Sequence, residues 1–251
     1  MFWLVTNNNT FDVLLFQQSN MYNNYAGLSI YDFEGKAIIE DVTAKNNGGG
    51  SGIQTSGKGI TIRIVEVSGN MGDGIAIIGS DFATNGAPTF EGTISLHNNY
   101  GSGLWMGTSS VPDDDAVLNG TVGITGNLIT YQNGLSGIMI GSDAVVDINL
   151  EKGGSITACS NGGKTNEADD SAADIYNNGT GIIQEMGIGR CTCDTKGGDG
   201  ELPECKPCPS CYSSLKNPPF GKGRGMSGFV PYIGTGSLVQ VSSREAVQEE
   251  R

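Results

Sequence analysis

The sequence is poor in positive charge. It holds a single histidine, His97, and 14 lysines and arginines against 27 aspartates and glutamates. The formal charge of -13 and a pI near 4.3 set it against nucleic acid and anionic membranes, whose binding depends on clustered Lys and Arg. A nucleic-acid partner is thereby excluded. The imbalance is sharper up to Glu185, where 20 acidic side chains face 6 basic ones. No apolar run reaches the length of a transmembrane helix, so no membrane insertion is expected of this segment. Residues 1–5 are apolar but are followed by polar residues 6–10, without the positive region and sustained apolar core of a signal peptide. No cap for an open sheet end is legible before residues 11–16, so the chain is expected to be an internal fragment or the product of a truncated gene model, in which Met1 need not be the natural start. Strong helical patterns are scarce, and charged residues make up only 16%, which fits a turn-rich β protein of one or two domains.

What the sequence does have is glycine, 40 residues of it, and part of it recurs in phase. Tyr131, Asn133, Gly137, Ile138 and Ile140 mark a unit whose variants run from the N-terminal region to Ile183. Its glycines are Gly27, Gly52, Gly74, Gly103, Gly137 and Gly181, spaced 25, 22, 29, 34 and 44 residues apart. The last interval has room for a copy without the signature, through residues 147–150 and 155–162. Four residues before five of the glycines stand Asn23, Asn70, Asn99, Asn133 and Asn177; the remaining copy has Asn47 one place earlier. Apolar residues follow with period two, as in Leu28 and Ile30 or Ile75 and Ile77, which predicts strands. Asn tolerates left-handed backbone and Gly enters it without steric cost, so each Asn-to-Gly stretch reads as a turn. Units of 20 to 30 residues that cannot bury their own apolar edge predict a stacked solenoid. In such a stack the asparagines superpose, and their amides are expected to form a hydrogen-bonded ladder.

The pattern Asn-x-x-x-Gly-apolar-x-apolar, in Asn70 to Ile77 and Asn133 to Ile140, resembles the right-handed parallel β-helix repeat of the pectate-lyase-like superfamily, over roughly residues 10 to 185. The resemblance implies an all-β, right-handed parallel β-helix over residues 1–185. It leaves the activity open, because that scaffold carries lyases, hydrolases, epimerases and adhesins. Residues 186–216 are expected to form a small cysteine-rich module and residues 217–251 a flexible or incomplete tail. Over about ten residues, Cys205, Cys208, Pro209, Tyr212 and Ser213 resemble the modules of the ephrin-receptor-like and tumour-necrosis-factor-receptor-like families, with Cys211 where that pattern has Gly. Cys191, Cys193, Cys205, Cys208 and Cys211 are therefore disulfide candidates, with Cys159 paired or buried. The competing reading is zinc on Cys191, Cys193, Cys205 and Cys208.

Longer spacings require insertions, at residues 80–88, 108–116 and 164–173, and loops on a regular scaffold are where binding groups collect. Asp113, Asp114 and Asp115 are calcium candidates, since Ca²⁺ favours clustered carboxylates; the alternative is a solvated turn. No other cofactor is called for. Polygalacturonases of this fold combine paired aspartates with Gly-His-Gly and Arg-x-Lys, and neither motif is present; His97 reads as a turn or surface residue. A polysaccharide lyase needs a base beside a uronate carboxylate and positive charge to stabilise the product anion. Arg63 and Asp113 to Asp115 are the catalytic candidates, although an Arg alternating with Ile62 and Ile64 reads equally as an exposed partner of an acid. Tyr100, Trp105 and Tyr131 are binding candidates, because aromatic faces offer sugars a flat apolar platform. Asn8 and Asn119 stand in glycosylation sequons open to modification; Asn178 begins a third, in the expected ladder turn. With no catalytic set of the resembled family complete, the expected role is a noncatalytic extracellular or cell-surface protein that binds carbohydrate or a surface protein. The alternatives are a divergent polysaccharide lyase or glycoside hydrolase, and a structural segment of a larger surface protein.

Overall fold

The computed structural model describes residues 2–5, 13–25, 27–31, 36–55, 59–78, 88–107, 118–142, 144–151, 153–162, 173–180, 191–192 and 195–197. Among them every regular element is a strand and none is a helix, so no helix among them is long and apolar enough to cross a membrane. In chain order the strands are β1 (Phe2–Val5), β2 (Val13–Tyr22), β3 (Leu28–Tyr31), β4 (Lys36–Lys45), β5 (Ile53–Thr55), β6 (Ile60–Ser68), β7 (Ile75–Ile78), β8 (Thr89–His97) and β9 (Leu104–Gly107). They continue as β10 (Leu118–Ile124), β11 (Asn127–Tyr131), β12 (Ile138–Ile140), β13 (Ala144–Leu150), β14 (Ser155–Cys159), β15 (Ile175–Asn177), β16 (Cys191–Thr192) and β17 (Thr195–Gly197).

They form two parallel sheets. Sheet A runs β1-β3-β5-β7-β9-β12-β15-β17, and sheet B runs β2-β4-β6-β8 and on through β11, β14 and β16, with β10 and β13 alongside. Up to β15 each level of the chain therefore gives short strands to sheet A and longer ones to sheet B, and all pairings are parallel, such as Ile75 with Leu104 and Leu104 with Ile138. Period two sorts the side chains. Leu28, Ile53, Ile75, Leu104, Ile138 and Ile175 superpose in one inward column and are all fully buried. Facing them, Ile39, Ile62, Phe90 and Ile124 make a buried column of sheet B. Each such side chain contributes about 1.5–3 kcal/mol by leaving water. Strands β16 and β17 lie within the segment expected to be a separate cysteine-rich module, yet they extend both sheets by one level, so the stack passes residue 185.

Two columns of left-handed backbone shape each level. One bends the sheet B strands at Gln18, Asp41, Ile64 and Gly92, with φ of 50, 52, 52 and 64°. The other, at Asn23, Asn46, Gly69, Asn98, Gln132 and Ser160, with φ of 54 to 67°, turns the chain from sheet B toward sheet A. The repeat glycines are not in either column. A Cβ on Gly74 would lie 2.6 Å from the Gly103 carbonyl oxygen and 2.9 Å from Asn99 Nδ2, and one on Gly103 would lie 2.6 Å from the Gly137 oxygen and 2.9 Å from Asn133 Nδ2. The expectation that these glycines supply positive φ is thus corrected: they are required by the close approach of the next level.

What approaches is the ladder. Asn70 Nδ2 donates to Asn99 Oδ1 at 2.8 Å and to the Ala44 carbonyl at 3.2 Å, and the Asn70 N–H donates to the same Asn99 oxygen at 3.1 Å. The unit repeats from Asn47 to Asn70, from Asn99 to Asn133 and from Asn133 to Asn161. It ends on a carboxylate, where Asp174 Oδ1 accepts Asn161 N–H at 2.9 Å and Nδ2 at 2.8 Å. Asn70, Asn99 and Asn133 stand where the sequence placed them, whereas Asn23 and Asn177 do not. Asn23 is exposed, and the ladder reaches the N–H of its neighbour Asn24 instead. Asn177 is a buried residue of β15, paired with Ile140. Asp174 directly precedes β15, and Gly181 lies outside the described residues.

Each interior amide uses both donors and accepts twice, so replacing Asn99 by Asp sets carboxylate oxygens against Asn133 Oδ1 and the Val67 carbonyl. With each unmet buried group worth about 1–3 kcal/mol, Asn99→Asp is expected to cost about 3 kcal/mol or more in urea unfolding at pH 7, against about 0.5 kcal/mol or less for Asn23→Asp.

Candidate functional site

The chemistry-bearing side chains divide between the outer faces of the two sheets. On sheet B, Gln17, Glu40, Arg63 and Glu91 superpose through the pairings Gln17 with Glu40, Glu40 with Arg63, and Arg63 with Glu91. Arg63 lies between the two acids, Nη1 at 3.6 Å from Glu40 and Nε at 3.5 Å from Glu91. It points out of the core as alternation predicts. The guanidinium is thus engaged by an acid on the level to either side. Ile64, which alternation would place inside, is 53% exposed. Its left-handed φ makes the bend, and a register shift between Arg63 and Val65 accompanies it. A β-branched side chain there is strained by about 1–3 kcal/mol.

Beyond the bend lies a second cluster. Lys45 Nζ pairs with Glu66 Oε1 at 2.7 Å, His97 Nε2 lies 3.3 Å from the same oxygen, and Asn98 Nδ2 is 2.8 Å from His97 Nδ1. The Asn98 amide donates to Nδ1, which leaves the imidazole proton on Nε2, directed at Glu66. The ring also stacks on Tyr131, with centroids 4.6 Å apart and planes 6° from parallel. His97 is therefore a half-buried strand residue with both nitrogens engaged, not a turn residue, and it has no free nitrogen for catalysis or a metal. Burial lowers the His97 pKa, and the Lys45 hydrogen bond holds Glu66 below its usual range. Burial raises Tyr131. Arg63 and Lys45 are thus matched by acids in two separate clusters, while Lys36, at the start of β4, is exposed.

Sheet A is different. The column that alternates with its core residues is Ser29, Gln54, Ala76, Trp105, Met139 and Tyr176, in register at successive levels, with Ser29 and Ala76 buried. None of these carries charge at neutral pH. Trp105, Met139 and Tyr176 are half-exposed. Tyr100 is 60% exposed, in the turn that leads to the Trp105 strand. The three aromatic candidates are therefore not one site: Trp105 faces out of sheet A, Tyr100 stands on its flanking turn, and Tyr131 belongs to sheet B. Met139 and Tyr176 complete the Trp105 column, and the unequal chain lengths between copies hide that alignment in the sequence.

Asp113, Asp114 and Asp115, with Cys193, Cys205, Cys208 and Cys211, lie outside the described residues, as does the sequon at Asn8; of Cys191 only the pairing of its backbone with Thr157 is described. Cys159 is buried at the end of β14. Asn119 is exposed on β10, and Asn178 follows β15 rather than a ladder turn. No group of three or more His, Cys, Asp or Glu among the described residues is arranged to hold a metal ion. One further acid is perturbed: Asp73, in the turn before β7, accepts the Ser102 N–H at 2.7 Å, and burial outweighs that bond to raise its pKa to about 6. No protein-family model matches the chain, and no curated protein or solved structure matches it.

Because the folded-state pKa of Asp73 lies above its usual 3.8, its contribution to stability is present below about pH 4 and lost as pH rises to about 6. The loss is of the order of 2 kcal/mol once partial solvent access is allowed for. Asp73→Asn keeps the acceptor and cannot ionise, so the variant should gain that much over the parent between pH 4 and pH 7.5 in chemical denaturation; a constant difference would contradict the assignment. Ile64→Asn should raise stability by about 1 kcal/mol by releasing the left-handed strain, read as a higher urea midpoint at unchanged slope.

Proposed function

We propose that the two parallel sheets close into a right-handed parallel β-helix of the pectate-lyase-like kind, serving as a noncatalytic rod that binds carbohydrate at an extracellular or cell surface. The stacked levels, the alternation of the chain between two parallel sheets and the ladder support the helical reading. The right hand follows from the strong preference of parallel crossovers for that sense. The observation that carries the binding role is the column of Trp105, Met139 and Tyr176 facing outward on consecutive levels. It offers flat apolar area of the kind sugar rings stack on, on a rigid scaffold that orders it in advance. The noncatalytic reading is supported by the charge pairing of sheet B: a lyase would need a cation and a free base in one place, and Arg63, Lys45 and His97 are each engaged by neighbours, while the exposed Lys36 lies at the opposite end of β4 from Lys45.

A second reading is favoured by one observation, the strained and exposed Ile64 beside Arg63, Glu40 and Glu91, since backbone strain gathers at functional sites. It makes the chain a divergent polysaccharide lyase or glycoside hydrolase, with calcium held by the acidic insertion at Asp113 to Asp115. A glycan array with and without millimolar calcium, followed by assays for unsaturated products and new reducing ends on each bound polymer, separates the two. Binding without turnover is the expected result. Calcium-dependent product formation would replace the first reading by the second.

A further inference from the structure

The sheet A face differs from the rest of the molecule in charge, and that difference names the class of ligand it suits. On a chain of formal charge -13, the six positions in register from Ser29 to Tyr176, of which Ser29 and Ala76 are buried, carry no ionic group, whereas sheet B sets Glu40, Arg63, Glu91, Lys45 and Glu66 on its outer face. Register places Lys196 only at the next level, beside Tyr176. An anionic polymer at the sheet A column would meet the long-range repulsion of the acidic protein without a row of cations to offset it.

The column is also shaped. A Cβ on Gly107, two residues after Trp105 on the same strand and face, would lie 2.8 Å from Trp105 Cζ2 and 3.2 Å from Cη2. The indole therefore leans along the strand over the space that Gly107 leaves. Met139, on the next level, is held in place by the Ser102 hydroxyl, 3.6 Å from its sulfur. Tyr176 follows one level further, so the apolar strip covers three levels, roughly 10 Å at about 4.8 Å per level. Its long axis is the axis of the stack.

We propose that this face binds an uncharged, extended polysaccharide laid along the stack, with the Trp105 indole as its principal stacking surface and without calcium. The inference rests on the carbohydrate reading above and narrows it to one polymer class and one face. The full chain is titrated, in a calcium chelator, with soluble uncharged β-linked hexans and with a polyuronate in its free-acid and methyl-esterified forms, alongside Trp105→Ala, Gly107→Val and Lys196→Gln. Binding is followed by calorimetry and, in a Trp3→Phe background, by Trp105 emission, with thermal unfolding checking that each variant folds.

An uncharged polymer should bind and shift the Trp105 emission. Trp105→Ala should weaken it about tenfold, equal to about 1.4 kcal/mol, and Gly107→Val, which keeps the indole but lifts it, should weaken it several-fold. Lys196→Gln should bind as the parent does. Binding of the free-acid polyuronate alone, or loss in Lys196→Gln with Trp105→Ala unaffected, would overturn the inference and leave the carbohydrate reading standing. Absence of binding to any polymer in these titrations and on the glycan array would overturn both.

Discussion

The hydrogen-bond ladder from Asn47 to Asp174 is the constraint on which the rest depends. A parallel stack needs every level to repeat the same turn, and a buried amide that donates twice and accepts twice tolerates no other register: slip one residue and each group loses its partner at a cost of about 1–3 kcal/mol. Gly52, Gly74, Gly103 and Gly137 follow from it, because the amide of the next level packs where their side chains would be. The left-handed residue before each ladder asparagine aims the amide inward. Asp174 makes chemical sense as the end of the ladder, since a carboxylate accepts both bonds from Asn161 and has no N–H to pass on.

Locking the register has a consequence on the outside. When every level repeats, outward side chains superpose as strictly as inward ones, and a single substitution per level builds a column. Sheet B uses this to alternate charge, Glu40 with Arg63 with Glu91, so that its ionic groups neutralise one another. Sheet A uses it to accumulate apolar surface, Trp105 above Met139 above Tyr176. The division of labour between the faces is a product of register, with no pocket required.

Much of this was legible from period and spacing. The strands around Ile62, Ile75, Leu104 and Ile138, the outward aim of Arg63 and Trp105, and the superposed Asn70, Asn99 and Asn133 could all be read from the chain, because alternation and the four-residue Asn-to-Gly distance report directly on backbone geometry. What was not legible lay where the period is interrupted. Ile64 was assigned to the core because a single left-handed residue inverts the alternation without leaving a Gly or Asn as a signal. Asn177 was placed in the ladder and Asn161 and Asp174 were not, since a copy that has lost its glycine can be aligned only by what it pairs with. The acids of Arg63 come from the levels on either side, and His97 stacks on Tyr131 a level away. Contacts between levels are set by insertions of unequal length, and these hide them from any reading along the chain.

The most direct test of the account is side-chain amide exchange. In ¹⁵N-labelled protein, the NH₂ protons of Asn70, Asn99 and Asn133 are predicted to exchange only through global unfolding, with the same free energy as the core amides of Ile75 and Leu104, because the ladder and the stack open together. Exchange of those three side chains at the rate of solvent-exposed asparagines such as Asn23 would show that the stack stands without the ladder, and would contradict the account at its base.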